Sequence, residues 1–312
     1  DSTTILPDRT PMKRDLLSFS LWTTGELTAI LDLAADGKKG GLASLPLRGR
    51  TAALIFEHES LRTRVSFEVG IAQLGGTSIF LQEETIGLAT RESVHDIASV
   101  LSRYNDLIIA RTTRHTTCLQ LGESAGVPVI NAMTDLVHPC QVLADALTLR
   151  EAGRLKPETK IVFLGEGNNI VNSWLELAEK LPLHFVFSCP SGHEPHAQVL
   201  EQARSAELSR IESVQDPVEA VQNADVVYTD AWPISRGSAE EGTDLAAFKP
   251  YQVNEALLKS AKSDCMVMHR LPANRGEEIT REVLDGPQSV VLDQAENRLH
   301  LQKAVMATLL KS

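Results

Sequence analysis

Eight short apolar runs constrain this chain more than any other feature. Thr51–Phe56 (TAALIF), Thr77–Leu81 (TSIFL), Asp106–Ala110 (DLIIA) and Val127–Asn131 (VPVIN) form a first series. Lys160–Leu164 (KIVFL), His184–Ser188 (HFVFS), Asp225–Thr229 (DVVYT) and Asp264–Met268 (DCMVM) form a second. A continuously apolar strand must be covered on both faces, which is the situation of a parallel sheet wrapped by helices. Arg64–Leu74 and His95–Tyr104 carry apolar residues at helical spacing between the strands of the first series. The polar, breaker-rich stretch Glu151–Thr159 (EAGRLKPET) separates the two series, and 312 residues suit about two domains at roughly 150 residues each. The expected fold is α/β, with two doubly wound parallel-sheet domains joined by helices. The expected boundaries are 1–150 and 151–290, followed by 291–312, where Asn297–Leu310 reads as one amphipathic helix.

Ligands of open parallel sheets bind beyond the carboxyl ends of the strands, so the residues after each run are the informative ones. The first run is followed by Glu57-His58-Glu59-Ser60-Leu61-Arg62-Thr63-Arg64 and a helix. A helix start offers unpaired N–H groups and a positive dipole end, and Arg62 adds a forked cation that matches phosphate oxygens. Ser60 and Thr63 add hydroxyls, which can also simply cap the helix. Arg111 follows the third run. After the fourth come His138 and Gln141, ahead of a helix expected to begin near Val142. An imidazole and an amide there can bond a carbonyl oxygen and an amide nitrogen. In the second series, Gly165-Glu166-Gly167-Asn168-Asn169 opens a helix but lacks the third glycine of a dinucleotide loop, and the next strand ends in Phe187-Ser188 without the ribose-binding acid. Asp230, with Ser235, Arg236 and Gly237 beyond it, follows the third run, and a carboxylate there can hold an ammonium. MHRLPANRGEEIT closes the series, placing His269, Arg270, Leu271 and Pro272 in one turn.

Bulk properties exclude some classes. A net charge of −11 argues against wrapping nucleic acid, which requires clustered Lys and Arg. Cys118, Cys140, Cys189 and Cys265 are scattered, show no zinc spacing, and read as structural thiols of a reducing compartment. No run approaches the roughly 18 apolar residues of a membrane helix, and residues 1–14 carry no apolar signal core, so a cytoplasmic protein with no membrane partner is expected. No metal or organic cofactor is expected.

Six motifs then occur in one order: SLRTR (Ser60–Arg64), HPCQ (His138–Gln141), GEGNN (Gly165–Asn169), DAWPISRG (Asp230–Gly237), HRLP (His269–Pro272) and AENRLHLQK (Ala295–Lys303). Together they resemble the aspartate and ornithine carbamoyltransferase family over nearly the whole chain, and GEGNN and AENRLH resemble its ornithine branch. The resemblance implies that the first domain holds carbamoyl phosphate and the second an amino acid acceptor. It also implies a last helix that packs back on the first domain, and a homotrimer or multiple of trimers with shared sites. It assigns carbamoyl phosphate to Ser60, Leu61, Arg62, Thr63, Arg111, His138, Gln141 and Arg298. It assigns the acceptor to Asn169, Asp230, Ser235 and Arg236, and catalysis to Arg111, His138, Arg270 and Leu271. The implied reaction is attack of a neutral amine on the carbamoyl carbon, most simply that of L-ornithine to give L-citrulline and phosphate.

Four positions depart from the family pattern. Leu61 replaces a threonine, and Gly87 stands where the ornithine branch has a glutamine that enters the neighbouring site, with Arg91 or Gln82 as substitutes. Arg270 replaces the cysteine of HCLP, and Arg236 replaces a methionine. Three readings follow. An ornithine enzyme would turn its arginines away or pair them with acids such as Glu277, Glu278 or Glu240. An enzyme for another acceptor, with an extra carboxylate or a shorter chain, would read it with Arg236 or Arg270. A non-catalytic paralogue would only bind these ligands.

Overall fold

The computed structural model describes residues 13–42, 45–88, 90–233 and 245–311. Its strands are β1 (Thr51–Phe56), β2 (Thr77–Gln82), β3 (Leu107–Arg111), β4 (Val129–Met133), β5 (Lys160–Leu164), β6 (His184–Ser188), β7 (Arg210–Ser213), β8 (Val226–Thr229) and β9 (Met266–His269). They form two sheets, ordered β2-β1-β3-β4 and β7-β6-β5-β8-β9, with every pair parallel. The strand order reverses between β1 and β3 in one sheet and between β5 and β8 in the other. Those two points are where connections leave to opposite faces and open a crevice.

The apolar runs became strands as their pattern requires, shifted by up to two residues. One strand escaped the pattern. β7 (RIES) is a short, largely solvated edge strand, so it needs no apolar run. Helix starts also lie earlier than periodicity alone suggests. The helix Leu61–Gln73 begins directly after its Ser60 cap, and Pro139–Glu151 begins after His138 with proline in its first turn. Gln141 therefore sits inside the first turn of that helix rather than ahead of it.

The two sheets meet along a helical seam. Pro139–Glu151 is buried on nearly every side, and the last helix, Val291–Leu309, packs against it, against Thr24–Gly40 and against Leu61–Gln73. Leu54 and Phe67 on one side and Phe163 and Trp174 on the other belong to one continuous apolar cluster. The last helix starts at Val291, six residues before the sequence-based expectation. Its buried Gln294, Asn297 and Arg298 interrupt the apolar stripe that marks a helix face. Among the described residues no helix is long and apolar enough to cross a membrane, and all four cysteines are buried and unpaired.

Leu301 lies in this seam with no exposed surface, whereas Leu292 on the same helix is 77% exposed. Leu301→Ala is expected to cost about 2–5 kcal/mol in urea unfolding, and Leu292→Ala no more than about 0.5 kcal/mol.

Candidate active site

The start of Leu61–Gln73 is built to meet an anion. Ser60 adopts an extended conformation and its Oγ accepts the Thr63 N–H at 3.3 Å, while Arg64 N donates to Ser60 O. Those two bonds leave the N–H groups of Leu61 and Arg62 without an acceptor among the described residues, at the positive end of the helix. The Leu61 side chain is 73% exposed, so its substitution for threonine leaves these backbone donors intact. Thr63 is buried, and its Oγ1 accepts from Arg298 Nη2 at 2.7 Å. The Thr63 hydroxyl hydrogen thus remains available to donate.

Cations gather around this helix start. Arg111 ends β3 beside the crevice, and Arg298 reaches in from the last helix. Burial lowers the pKa of Arg111 to about 10, with Arg270 and Arg62 adding repulsion. Burial also brings Arg298 to about 10, helped by Arg111 and Arg62. Arg62 is lowered by burial and then by Arg270. The Nε atoms of Arg111 and Arg298 are buried without a partner among the described residues. Cations held this close destabilise one another, and a dianion is the natural counter-charge.

His138 and Gln141 close the first-domain side. His138 caps Pro139–Glu151, its backbone N–H bonds Ser173 Oγ at 2.7 Å, and its Nδ1 is buried without a partner among the described residues. Burial holds its pKa well below 6.5, and Arg298, Arg270 and Arg111 push the same way. The ring is therefore neutral at physiological pH. It can donate one N–H to a carbonyl oxygen but carries no charge of its own. Gln141 places its amide nitrogen on Asp145 and leaves Oε1 unpaired.

Across the cleft, the second sheet presents an acid and two amides at its own reversal point. Gly167 permits this arrangement because a Cβ there would lie 2.2 Å from Pro195 N. Asn168 caps the helix Asn169–Ala178 and donates from Nδ2 to Asp230 Oδ2 at 2.8 Å. Asn169 donates to Thr134 O at 2.7 Å, which leaves Oδ1 as a buried acceptor. Asp230 is 3% exposed just after β8. Ser235, Arg236 and Glu240 lie outside the described residues.

Arg270 crosses between the two halves. Its Nε lies 2.7 Å from Asp230 Oδ1, an ion pair whose N–H is turned off the line to the oxygen, and its Nη1 lies 3.4 Å from Met133 Sδ at the end of β4. Burial alone would lower its pKa, but Asp230 outweighs burial and raises it. The expected partners Glu277 and Glu278 are not the ones it takes. Glu278 is fully buried against His269 at 3.0 Å, on the other side of the turn. His269 Nδ1 accepts the Leu271 N–H at 2.9 Å, so the ring proton sits on Nε2 and points to Glu278. Leu271 is thereby held at φ 59°, a left-handed conformation that costs a non-glycine residue about 1–2 kcal/mol.

Two family models divide this chain. Residues 14–151 match the carbamoyl-P binding domain of aspartate/ornithine carbamoyltransferase, and residues 157–309 match its Asp/Orn binding domain. The chain belongs to the aspartate/ornithine carbamoyltransferase family. It is 48% identical over 305 residues to an ornithine carbamoyltransferase of Chlorobaculum tepidum, covering 96% of this chain and 90% of that one. It is 47% identical over 299 residues to the chloroplastic ornithine carbamoyltransferase of Pisum sativum, covering 94% and 79%. The solved ornithine carbamoyltransferase of Pyrococcus furiosus superposes with a TM-score of 0.88 at 44% identity, covering 95% of this chain and 96% of that one. The anabolic enzyme of Campylobacter jejuni gives 0.89 at 32% identity, covering 95% and 98%. The protein is a carbamoyltransferase.

Within that family frame, Gly87 has a local explanation. It caps the short helix Glu83–Ile86 at φ 62°, and a Cβ there would lie 2.7 Å from Arg91 Cβ, so this turn is shaped around glycine. Sequence reasoning missed Asp145, Tyr228 and Gln294, which form a buried network behind Gln141. A lone aspartate inside the apolar run CQVLADALTL was the available signal.

Replacing His138 by Ala is expected to lower kcat about 100-fold, the usual cost of losing one donor to a developing oxyanion. Because His138 is already neutral above pH 6.5, the wild-type profile between pH 6.5 and 8 is expected to show no inflection that this substitution removes. Steady-state kinetics across that range checks both statements.

Proposed function

We propose that this carbamoyltransferase moves the carbamoyl group of carbamoyl phosphate to the side-chain amine of L-ornithine, giving L-citrulline and phosphate. The observation that carries the reading is the cleft itself. A cation cluster at a helix start faces an acid-and-amide pocket, and one side chain, Arg270, touches both walls. The N–H groups of Leu61 and Arg62, the guanidinium of Arg62 and the hydroxyls of Ser60 and Thr63 take the phosphate. Arg111 and His138 donate to the carbamoyl oxygen, and the single Thr63 hydroxyl hydrogen turns from the phosphate to that oxygen as it gains charge. Gln141 Oε1 and the Leu271 carbonyl accept from the carbamoyl nitrogen. Arg298 holds Thr63 in place and adds positive charge beside the leaving group. Asn169 and Asp230 take the acceptor's ammonium, with Ser235 and Arg236 assigned to its carboxylate.

In this reaction the amine lone pair forms a bond to the carbamoyl carbon, the carbonyl oxygen becomes an oxyanion, and collapse breaks the bond to the phosphate oxygen. Each well-placed donor to that oxyanion is worth roughly 3–4 kcal/mol. The acceptor amine must be neutral, so charge near it matters. The Arg270–Asp230 pair favours ornithine over an acceptor with an extra carboxylate, because Arg270 is already engaged by an internal acid. We assign residues 1–150 to carbamoyl phosphate, 151–290 to the acceptor and 291–312 to the returning helix, in a cytoplasmic enzyme.

We also assign a trimer. Leu61, Val65 and Val69 form an exposed i, i+4, i+8 stripe on Leu61–Gln73, and Ile79 on the edge strand β2 is likewise exposed. An apolar stripe that begins at the phosphate site suits a subunit contact. Val65→Glu with Val69→Glu is expected to yield monomers by light scattering and to depress turnover. An unchanged mass would place the contact elsewhere.

The function is tested by phosphate release from carbamoyl phosphate with ornithine, putrescine, lysine and aspartate, each product identified by mass. Ornithine is expected to turn over best, and preference for another amine would overturn the acceptor assignment. Arg270→Cys is expected to lower the KM for ornithine roughly tenfold, because it frees the Asp230 carboxylate now paired with Arg270 for the acceptor's ammonium, and one charge at ~4 Å is worth about 1–4 kcal/mol. A raised KM instead would mean that Arg270 binds the acceptor directly.

A further inference from the structure

Behind Gln141 lies a carboxylate with an unusual duty. Asp145 is fully buried in the middle of Pro139–Glu151. Its Oδ1 accepts from Gln141 Nε2 at 2.9 Å and from Gln294 Nε2 at 2.8 Å, and its Oδ2 accepts from the Tyr228 hydroxyl at 2.8 Å. Gln294 Nε2 also lies 3.0 Å from Tyr228 Oη, and Gln294 Oε1 accepts the His269 backbone N–H at 3.0 Å. The four side chains come from Pro139–Glu151, β8 and the last helix, so the network joins both domains at the seam.

An ionised carboxylate can only accept hydrogen bonds, whereas an amide side chain presents an acceptor at one end and a donor at the other. Asp145 therefore decides which end of each neighbouring amide faces it. We infer that Asp145 is a positioning residue that sets the polarity of two amides at once. It turns Gln141 so that Oε1 is presented to the carbamoyl nitrogen, and it turns Gln294 so that Oε1 pins the His269-Arg270-Leu271 turn. This rests on the reading that Gln141 faces the carbamoyl group. The structure supplies an independent check on Gln294, because a backbone N–H can only donate and must find the oxygen end of that amide.

Asp145→Asn keeps the shape but can offer either end to Gln141, so the amide of Gln141 is no longer forced. The test compares two ligands of the same phosphate site by calorimetry. Phosphonoacetamide carries a primary amide like that of carbamoyl phosphate, and inorganic phosphate does not. In Asp145→Asn the affinity for phosphonoacetamide is expected to fall about tenfold, the worth of roughly one hydrogen bond, while that for phosphate changes less than about twofold. Gln141→Ala in the Asp145→Asn background is expected to add no further loss of phosphonoacetamide affinity. Equal loss for both ligands would mean that Asp145 only supports the scaffold, and would overturn the inference. A wild-type protein that binds phosphonoacetamide no better than phosphate would fail differently, removing the role of Gln141 and the inference with it.

Should Asp145→Asn not fold, the wild-type affinity ratio at pH 7.5 and pH 5 gives the same answer. Burial raises the Asp145 pKa to about 6, opposed by the bonds from Gln141, Gln294 and Tyr228 and by the charge of Arg298. Arg298 stays charged across this range and Tyr228, raised well above its ordinary value, stays neutral. At pH 5 Asp145 gains a proton and becomes able to donate, so the phosphonoacetamide advantage is expected to shrink severalfold. An unchanged ratio, with infrared difference spectra showing a buried carboxylate protonated between those two pH values, would overturn the inference.

Discussion

The mutual repulsion of arginines gathered in one cleft is the constraint around which this molecule is arranged. Burial works against the charge of Arg62, Arg111 and Arg298, and each of them is also opposed by another arginine of the cleft, Arg270 among them. Flexible cations would swing out to water and relieve that strain. Arg270 and Arg298 are held in place by side-chain partners, and Arg62 and Arg111 start from rigid elements. Arg111 ends a central strand, Arg62 sits in the first turn of a helix, Arg298 is tied to Thr63, and Arg270 is held by Asp230. The scaffold thus stores positive potential where we propose that phosphate leaves. A donor fixed beforehand need not reorganise when charge develops.

The same field explains why His138 is neutral. In water its imidazole would be partly protonated near neutral pH, but burial, with Arg298, Arg270 and Arg111 close by, holds its pKa well below 6.5. It can donate one hydrogen bond and carries no net charge. Arg270 adds to that field, which a cysteine at this position would not. Asp230 offsets the added charge locally, so the departure from the family pattern is balanced within the cleft and not by solvent.

Much of this was legible in the sequence, for physical reasons that also mark the limits. Buried parallel strands must be continuously apolar, so eight of nine declared themselves, while the solvated edge strand β7 had no reason to. The rule that sites form beyond strand ends pointed to Ser60, Arg62, Thr63, Arg111, His138, Asn169 and Asp230, because it depends only on where strands stop. What could not be read was pairing at a distance. Arg270 and Asp230 are 40 residues apart, and several nearer acids were equally plausible on charge alone. The left-handed Gly87 cap and the early start of the last helix failed for a related reason. Both depend on neighbours that no local period reports.

Two buried acids remain that face no substrate, and they bear on the cleft from behind. Glu278 receives the His269 ring and the Asn274 N–H, fixing one end of the HRLP turn. Asp145, through Gln294, receives the other strand of control on the same His269 backbone. Leu271 sits between these tethers in a conformation its side chain disfavours, and only a turn held on both sides keeps it there. A buried carboxylate with neutral donors is a costly construction for stability alone, since an apolar core of the same shape would serve better. Its use here is directional. Carboxylates accept and never donate when ionised, so each one dictates the orientation of every amide, ring and backbone group that reaches it.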